Sequence, residues 1–207
     1  MKNIISNRLA TTGFNPIAIC TRSALMIIAF TLILGIVYPL TVTGLAQYLF
    51  PYQANGSLIT KNNRVIGSEM IGQDFRKGAY FQSRPSATSP DPYNAASSSG
   101  SNLGATNPKL KEVVSERVQS WRMKKGNNLS VPSDLVTASS SGLDPNITEE
   151  AARYQASVVA KLRKLPEQTI QALITMHVQK GLTGATPYVN VLQLNMALDE
   201  LTESTNK

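Results

Sequence analysis

The chain has 207 residues, 42% of them apolar, with 20 Lys plus Arg against 13 Asp plus Glu and a formal charge of +7. That length fits one domain of ordinary size, or a smaller domain plus an anchor. One cysteine, Cys20, excludes an intramolecular disulfide, and one histidine, His177, leaves too few ligands for a Cys/His zinc cluster. The charge is uneven: residues 1–68 hold Lys2, Arg8, Arg22, Lys61 and Arg64 and no acidic residue. The remaining 139 residues, with 15 basic and 13 acidic side chains, are nearly neutral. They lack the basic stripe that a nucleic-acid-binding domain shows.

No charged side chain occurs from residue 23 to residue 60, and residues 24–37 are nearly all apolar. As a helix, residues 24–46 reach roughly 35 Å, enough for the ~30 Å hydrocarbon core of a bilayer. A cleavable signal peptide is the alternative, since Gly44-Leu45-Ala46 resembles a small-x-small cleavage site. The 22 residues ahead of the run, and a run longer than the ~7–15 residues of a signal core, favour an anchor. Lys2, Arg8 and Arg22 precede the helix and Lys61 is the first cation after it. This predicts a cytoplasmic residue 1–23 segment, a transmembrane helix over 24–46 and an external domain over 47–207. Tyr48, Phe50 and Tyr52 then fall at the outer aromatic belt, and Cys20 on the reducing side. Thr31, Gly35, Pro39 and Thr43 recur every four residues, a row of small side chains suited to helix docking in lipid. The bland alternative is a solitary tilted anchor in which small residues are incidental. Pro39 is expected to kink the helix and free a backbone carbonyl.

Beyond the anchor, residues 57–60 and 64–67 are short β-favourable runs around Asn62-Asn63, which tolerates the positive φ of a tight hairpin. Another extended piece is expected around Tyr80-Phe81. Residues 83–108 contain seven Ser and four Pro and read as loop. A helix follows, with Asn107 as cap, Pro108 at its first position and Leu110, Val113, Val114, Val118 and Trp121 on one face. Lys124, Lys125 and Gly126 suit its C-terminal end. A second helix is predicted from the cap Thr148 to about Lys164, and a third from Pro166 to about Gln179. The third carries Ile170, Leu173, Ile174 and, near its last turn, His177. Residues 189–201 begin with strand-like alternation and end as helix. The fold class is therefore a single N-terminal transmembrane α-helix followed by one exported α+β domain.

Enzyme motifs are mostly missing. No phosphate-cradling Gly-x-x-x-x-Gly-Lys-Ser/Thr, no Gly-x-Gly-x-x-Gly and no His-Glu-x-x-His occurs. A serine hydrolase built on Ser140 and His177 fails at the nucleophile elbow, where Ala138 replaces the first glycine. One helix alone cannot enclose an ion path. Asn55, Asn128 and Asn146 head Asn-x-Ser/Thr triplets, which matter only in a eukaryotic secretory pathway. Two classes stay open on this reading: a non-catalytic membrane subunit that works with partners, and a membrane-anchored exported binding protein or Ser hydrolase acting alone.

Several long strings resemble one family. They are Tyr-Pro-Leu-Thr-Val-Thr-Gly (38–44), Gly-Ser-Glu-Met-Ile-Gly-Gln-Asp-Phe (67–75), Tyr-Phe-Gln-Ser-Arg-Pro-Ser-Ala (80–87), residues 92–104, residues 131–145 and residues 189–199. In these the chain resembles the C subunits of bacterial Kdp potassium-transporting P-type ATPases, over nearly all of it beyond the first twenty residues. The resemblance implies an inner-membrane complex with a potassium-conducting subunit, a P-type ATPase subunit that hydrolyses ATP and a small membrane peptide. It also implies a non-catalytic role as a catalytic chaperone that raises the ATP affinity of the hydrolysing subunit, with ATP as ligand. Ser139, Ser140, Ser141, Gly142 and Asp144 are the candidate nucleotide or partner loop. Arg84, Pro85, Tyr93, Asn94, Ser101 and Asn102 are candidate partner contacts. Topology and resemblance oppose each other here, because ATP is cytoplasmic and the charge flanks place the serine loop outside. One departure from the family pattern is Leu165 before Pro166, where a capping Ser or Thr is expected.

Overall fold

The structure, a computed structural model, describes residues 15–76, 78–181 and 186–205. Lys2 and Arg8, which contribute to the orientation expected above, lie outside the described residues. The chain divides into two compact units, Met1–Asn55 and Gly56–Lys207.

In the first unit, one long apolar helix runs Pro16–Leu49, past both ends of the expected span. It consists of α1 (Pro16–Leu32), a π-helical turn (Ile33–Val37) and α2 (Tyr38–Leu49), followed by the short α3 (Pro51–Ala54). Asn15 caps its start, its Oδ1 accepting from the Ala18 amide at 3.1 Å. Where the kink is expected, the five-residue π turn centred on Gly35 lies directly ahead of Pro39, whose ring and missing N–H cannot serve the α-helical bond to the carbonyl four residues back.

The second unit begins with the hairpin β1 (Leu58–Lys61) and β2 (Arg64–Ser68), antiparallel, with a register shift between Ile59 and Thr60. Its turn residues Asn62 and Asn63 have φ of 52° and 60°, the left-handed values that a two-residue turn requires. After a long irregular stretch, α4 (Pro108–Lys125) starts on the Asn107 side chain, which accepts from the Lys109 amide. It stops at Gly126 with φ 72°. A second small sheet pairs β3 (Asn146–Thr148) antiparallel with β4 (Tyr188–Asn190), setting Ile147 opposite Val189. Thr148 then caps α5 (Glu149–Arg163) through the Ala151 amide, with Glu149 and Glu150 in the first turn, where the helix dipole favours anions.

α6 (Glu167–His177) starts on Pro166 with no side-chain cap. It ends before Gln179, because that residue bridges Tyr188 through two backbone bonds of 2.8 and 3.0 Å. α7 (Val191–Thr205) follows β4 directly. The core forms where α5 presents Ala151, Ala152, Ala156 and Ala160, small enough for close packing against Ile170 and Ile174 of α6. Leu194 and Leu198 of α7 complete it, all fully or nearly fully buried.

The expected extended piece at Tyr80-Phe81 belongs to no strand. Its pairing comes from side chains instead. Asn195 Oδ1 accepts from the Phe81 amide and Asn195 Nδ2 donates to the Phe81 carbonyl, both at 2.9 Å. Gln155 does the same for Gln82, at 2.8 and 3.0 Å. Arg163 stacks over Tyr80, donates to the Ala79 carbonyl and pairs with Asp199, which also accepts from the Tyr80 hydroxyl. Both amide side chains are almost fully buried. Truncating either leaves a buried N–H and C=O unpaired, so Asn195→Ala and Gln155→Ala should each destabilise by about 2–4 kcal/mol. Urea denaturation of the full chain in detergent reads this as a lowered midpoint, and a loss under ~0.5 kcal/mol would contradict it.

Candidate functional site

Three irregular segments converge in the second unit: residues 67–76, 84–104 and 131–145. The Gly72 amide donates to the Leu143 carbonyl at 2.7 Å, and the Ser139 amide to the Pro85 carbonyl at 3.2 Å. The Ser99 amide and the Ser98 hydroxyl both donate to the Ser141 carbonyl, at 2.9 and 3.0 Å. Glycines allow the close approach of the 67–76 and 84–104 segments to residues 140–144. A Cβ on Gly72, Gly100 or Gly142 would come within 2.6 Å of the carbonyl oxygen of Asp144, Ser140 or Ser99 respectively. Gly142 also has φ 67°, which no β-branched residue tolerates well.

Arg84 is the charged hub of the assembly. Its guanidinium lies 3.4 Å from Asp144 Oδ2 and 3.9 Å from Asp134 Oδ1, with Thr137 and the Ala138 carbonyl at 3.5 Å. Both carboxylates also bind backbone: Asp134 accepts from the Thr148 amide and Asp144 from the Asn146 amide. Arg84 Nε is buried without a hydrogen-bond partner. Tyr93, at φ 60°, takes its amide to Ser86 Oγ and its hydroxyl to the Arg84 carbonyl, each at 2.8 Å. Asn94 donates its amide to Thr88 Oγ1 and receives the Ala96 amide on its side chain. Burial pushes the Tyr93 hydroxyl up to about 12, with Asp74 reinforcing the shift and Arg76 and Arg117 opposing it.

The serine loop is thus brought together with Arg84, Pro85, Tyr93 and Asn94, while Ser101 and Asn102 lie further along the same segment, exposed, with Asn102 at φ 51°. Ser139 and Gly142 are buried, and Ser140 and Ser141 are exposed beside Ser97, Ser98 and Ser99. An open depression of about 700 Å³ lies here, lined by Met70, Ile71, Ser98, Ser140, Leu143 and Pro145 among others. The glycine of the serine loop is spent on packing against the chain's own backbone, and a phosphate would meet the Asp144 carboxylate. The arrangement makes a stiff, polar, Ser/Asn-rich face.

His177 Nδ1 lies 2.9 Å from the Leu173 carbonyl of its own helix, and among the described residues no hydrogen bond joins it to a serine. Lys125 donates to the Tyr154 carbonyl at 2.7 Å and lies over the Tyr154 ring. In the first unit, Thr31, Gly35, Pro39 and Thr43 are all exposed. A Cβ on Gly35 would touch nothing closer than Thr31 Cγ2 at 4.0 Å, so this chain's own packing does not require glycine there.

A family model described as K+-transporting ATPase, c chain, matches residues 20–200. The chain belongs to this family. It is 51% identical over 176 residues to the potassium-transporting ATPase KdpC subunit of Allorhizobium ampelinum, an alignment covering 84% of this chain and 92% of that one. The KdpC subunit of Methylococcus capsulatus is 54% identical over 181 residues, covering 86% and 95%. That of Pectobacterium atrosepticum is 52% identical over 182 residues, covering 86% and 95%.

Sequence reading missed Gln155 and Asn195, whose roles depend on a partner more than 70 residues away. It read Lys124 only as a helix-end cation and did not single out Arg117 of α4. Their signal was present, since they lie seven apart, interleaved with the stripe of Val114, Val118 and Trp121.

Gly142→Ala should cost about 2 kcal/mol or more through φ strain and the Ser99 contact, whereas Gly104→Ala, with open space around it, should stay within ~0.5 kcal/mol. Equal effects in a thermal-shift comparison would contradict the crossing geometry. Tyr93, with its raised folded value, stabilises fully below about pH 10 and loses that contribution as pH rises through about 12. Ultraviolet titration of the native chain should show a late-ionising tyrosine that Tyr93→Phe removes.

Proposed function

We propose that the chain is a non-catalytic accessory subunit of an ATP-driven, high-affinity potassium uptake pump, required for its assembly. Its partners are the potassium-conducting subunit, the P-type ATPase subunit and the small membrane peptide, in the bacterial inner membrane. Membership of the family and the relatives' names support this. The long exposed apolar helix supplies a single-pass anchor. The distribution of Lys2, Arg8 and Arg22 supports a cytoplasmic N-terminus and a folded unit outside, and on this reading that unit covers the external face of the potassium-conducting subunit.

The observation that carries the reading is the cross-bonded loop face. Ser98 and Ser99 bind Ser141, and Gly72, Gly100 and Gly142 let the backbones meet at three crossings, so the exposed serines are held in place. Such preorganisation favours docking. On this reading the chaperone effect on ATP affinity passes through the partner subunits, without nucleotide bound at residues 139–144.

Purified complex lacking this chain should lose potassium-stimulated ATP hydrolysis, and adding the chain back should restore it. Ser140→Ala should leave the KM for ATP of the restored complex within about twofold. A rise of tenfold or more, or photolabelling of the isolated chain by an azido-ATP analogue that the Ser140→Ala, Gly142→Ala pair abolishes, would return the nucleotide to the serine loop. Protease added outside spheroplasts should cut the folded unit, and full protection would overturn the orientation. Gly35→Leu should reduce co-purification of the partners in mild detergent, and unchanged recovery would remove the helix row from the interface.

A further inference from the structure

Away from the serine loop, on the other side of Pro85, lies a chamber of about 230 Å³ between α4 and residues 76–93. Arg76, Arg117 and Lys124 all line it, and no carboxylate does so among the described residues. Each cation keeps donors for something else. Arg76 engages Asp74 through Nε and Nη2, which leaves Nη1. Arg117 donates Nη1 to the Val136 carbonyl at 2.9 Å, which leaves the rest of its fork. Lys124 lies 4.6 Å over the Trp121 ring, and among the described residues its ammonium has no hydrogen-bond acceptor. Burial lowers the values of both Arg117 and Lys124, the cost of taking each cation partly out of water. Asp74 and, beside Arg117, Glu116 are the nearest acids, so the wall is electropositive on balance.

A second observation comes from Ser83. It lines the same chamber, is 6% exposed, and its Oγ has no hydrogen-bond partner. A buried hydroxyl without a partner is costly and is seldom retained without an occupant to satisfy it. Three cations lining one small cavity, with an unpartnered hydroxyl in its wall, match a tetrahedral dianion, which offers acceptors in several directions, better than a planar monoanion. A neighbouring chamber of about 330 Å³ shares Arg76, Gln82, Trp121 and Lys124 and continues over Val159 and Leu162, so an organic group attached to the anion has space.

We infer that the chamber walled by Ser83, Arg76, Arg117 and Lys124 is a binding site for a phosphate-type oxyanion, free or as a small phosphate ester. Trp121 is the only tryptophan of the chain and lines both chambers, so its fluorescence reports occupancy directly.

The full chain in neutral detergent is titrated with inorganic phosphate at constant ionic strength set by chloride, with Trp121 emission and 31P line width as parallel readouts. A saturable response in both is expected. Lys124→Gln should weaken it about tenfold and Ser83→Ala about threefold, corresponding to loss of a charge-assisted and a neutral hydrogen bond. Ser83→Ala should do so without lowering the urea midpoint, because it removes a hydroxyl that has no partner in the free protein. A response that follows chloride alone, or one that both variants leave unchanged, overturns the site. Glycerol 3-phosphate distinguishes the sources: tighter binding than phosphate assigns the second chamber to an ester, and equal binding assigns the site to the free ion.

Discussion

The folded unit depends on carboxamide side chains standing in for β-strands. A chain segment that crosses a helical core must satisfy its backbone N–H and C=O groups, since unpaired buried ones cost as much as lost hydrogen bonds. Residues 80–82 have no neighbouring strand, yet Phe81 is fully buried. Asn195 from α7 and Gln155 from α5 each present one acceptor and one donor in the spacing of a peptide unit, and so extend two helices into a surrogate sheet edge. The same device recurs at the rim. Gln73 donates to the Ile66 carbonyl, Asn190 donates to the Glu69 carbonyl and Gln193 binds the Glu69 carboxylate. Amides suit this task because they are neutral and two-sided, and burying them incurs no charge desolvation.

With the extended segment fixed from behind, the loops in front of it can be irregular and still rigid. Arg84 follows directly from the amide-held stretch and reaches Asp134 and Asp144, which belong to a segment about 50 to 60 residues away. Glycines at the crossings let backbones approach to carbonyl contact. The face that carries exposed serines is therefore supported by core helices, by an ion-pair hub and by interleaved main chain. Its rigidity comes without regular secondary structure.

Much of this was legible in the sequence where the determinants are local. The caps Asn107 and Thr148, the stop at Gly126 and the Asn62-Asn63 turn act within a few residues, and each is found where its chemistry predicts. The long apolar helix is equally local, although it starts earlier than expected, where Asn15 caps it, and runs on to Leu49. What was not legible is long-range. Nothing near Asn195 announces Phe81, and nothing near Gly142 announces Ser99, so those residues register as a polar helix position and a loop glycine. The cation-lined wall of α4 falls between these cases, since its spacing was visible but its neighbours were supplied by a distant loop. The family strings mark most of these positions as a set, because Gly72, Phe81, Arg84, Gly142 and Asn195 all fall within them.

The widened turn at Ile33–Val37 has a consequence for how the anchor can change. A π turn holds one residue more than the α-helical path needs, and each α-helical residue turns the chain by about 100°. Removing a single residue from that turn would let the helix close to ordinary geometry with almost no change in length. It would also leave Pro39 and Thr43 near their present azimuth relative to Thr31, whereas closing the turn with all five residues kept would swing them by roughly a quarter of a revolution. The π turn therefore sets the azimuth of Tyr38–Leu49 relative to Pro16–Leu32, a quarter-turn away from where an unbroken α-helix of the same sequence would place it.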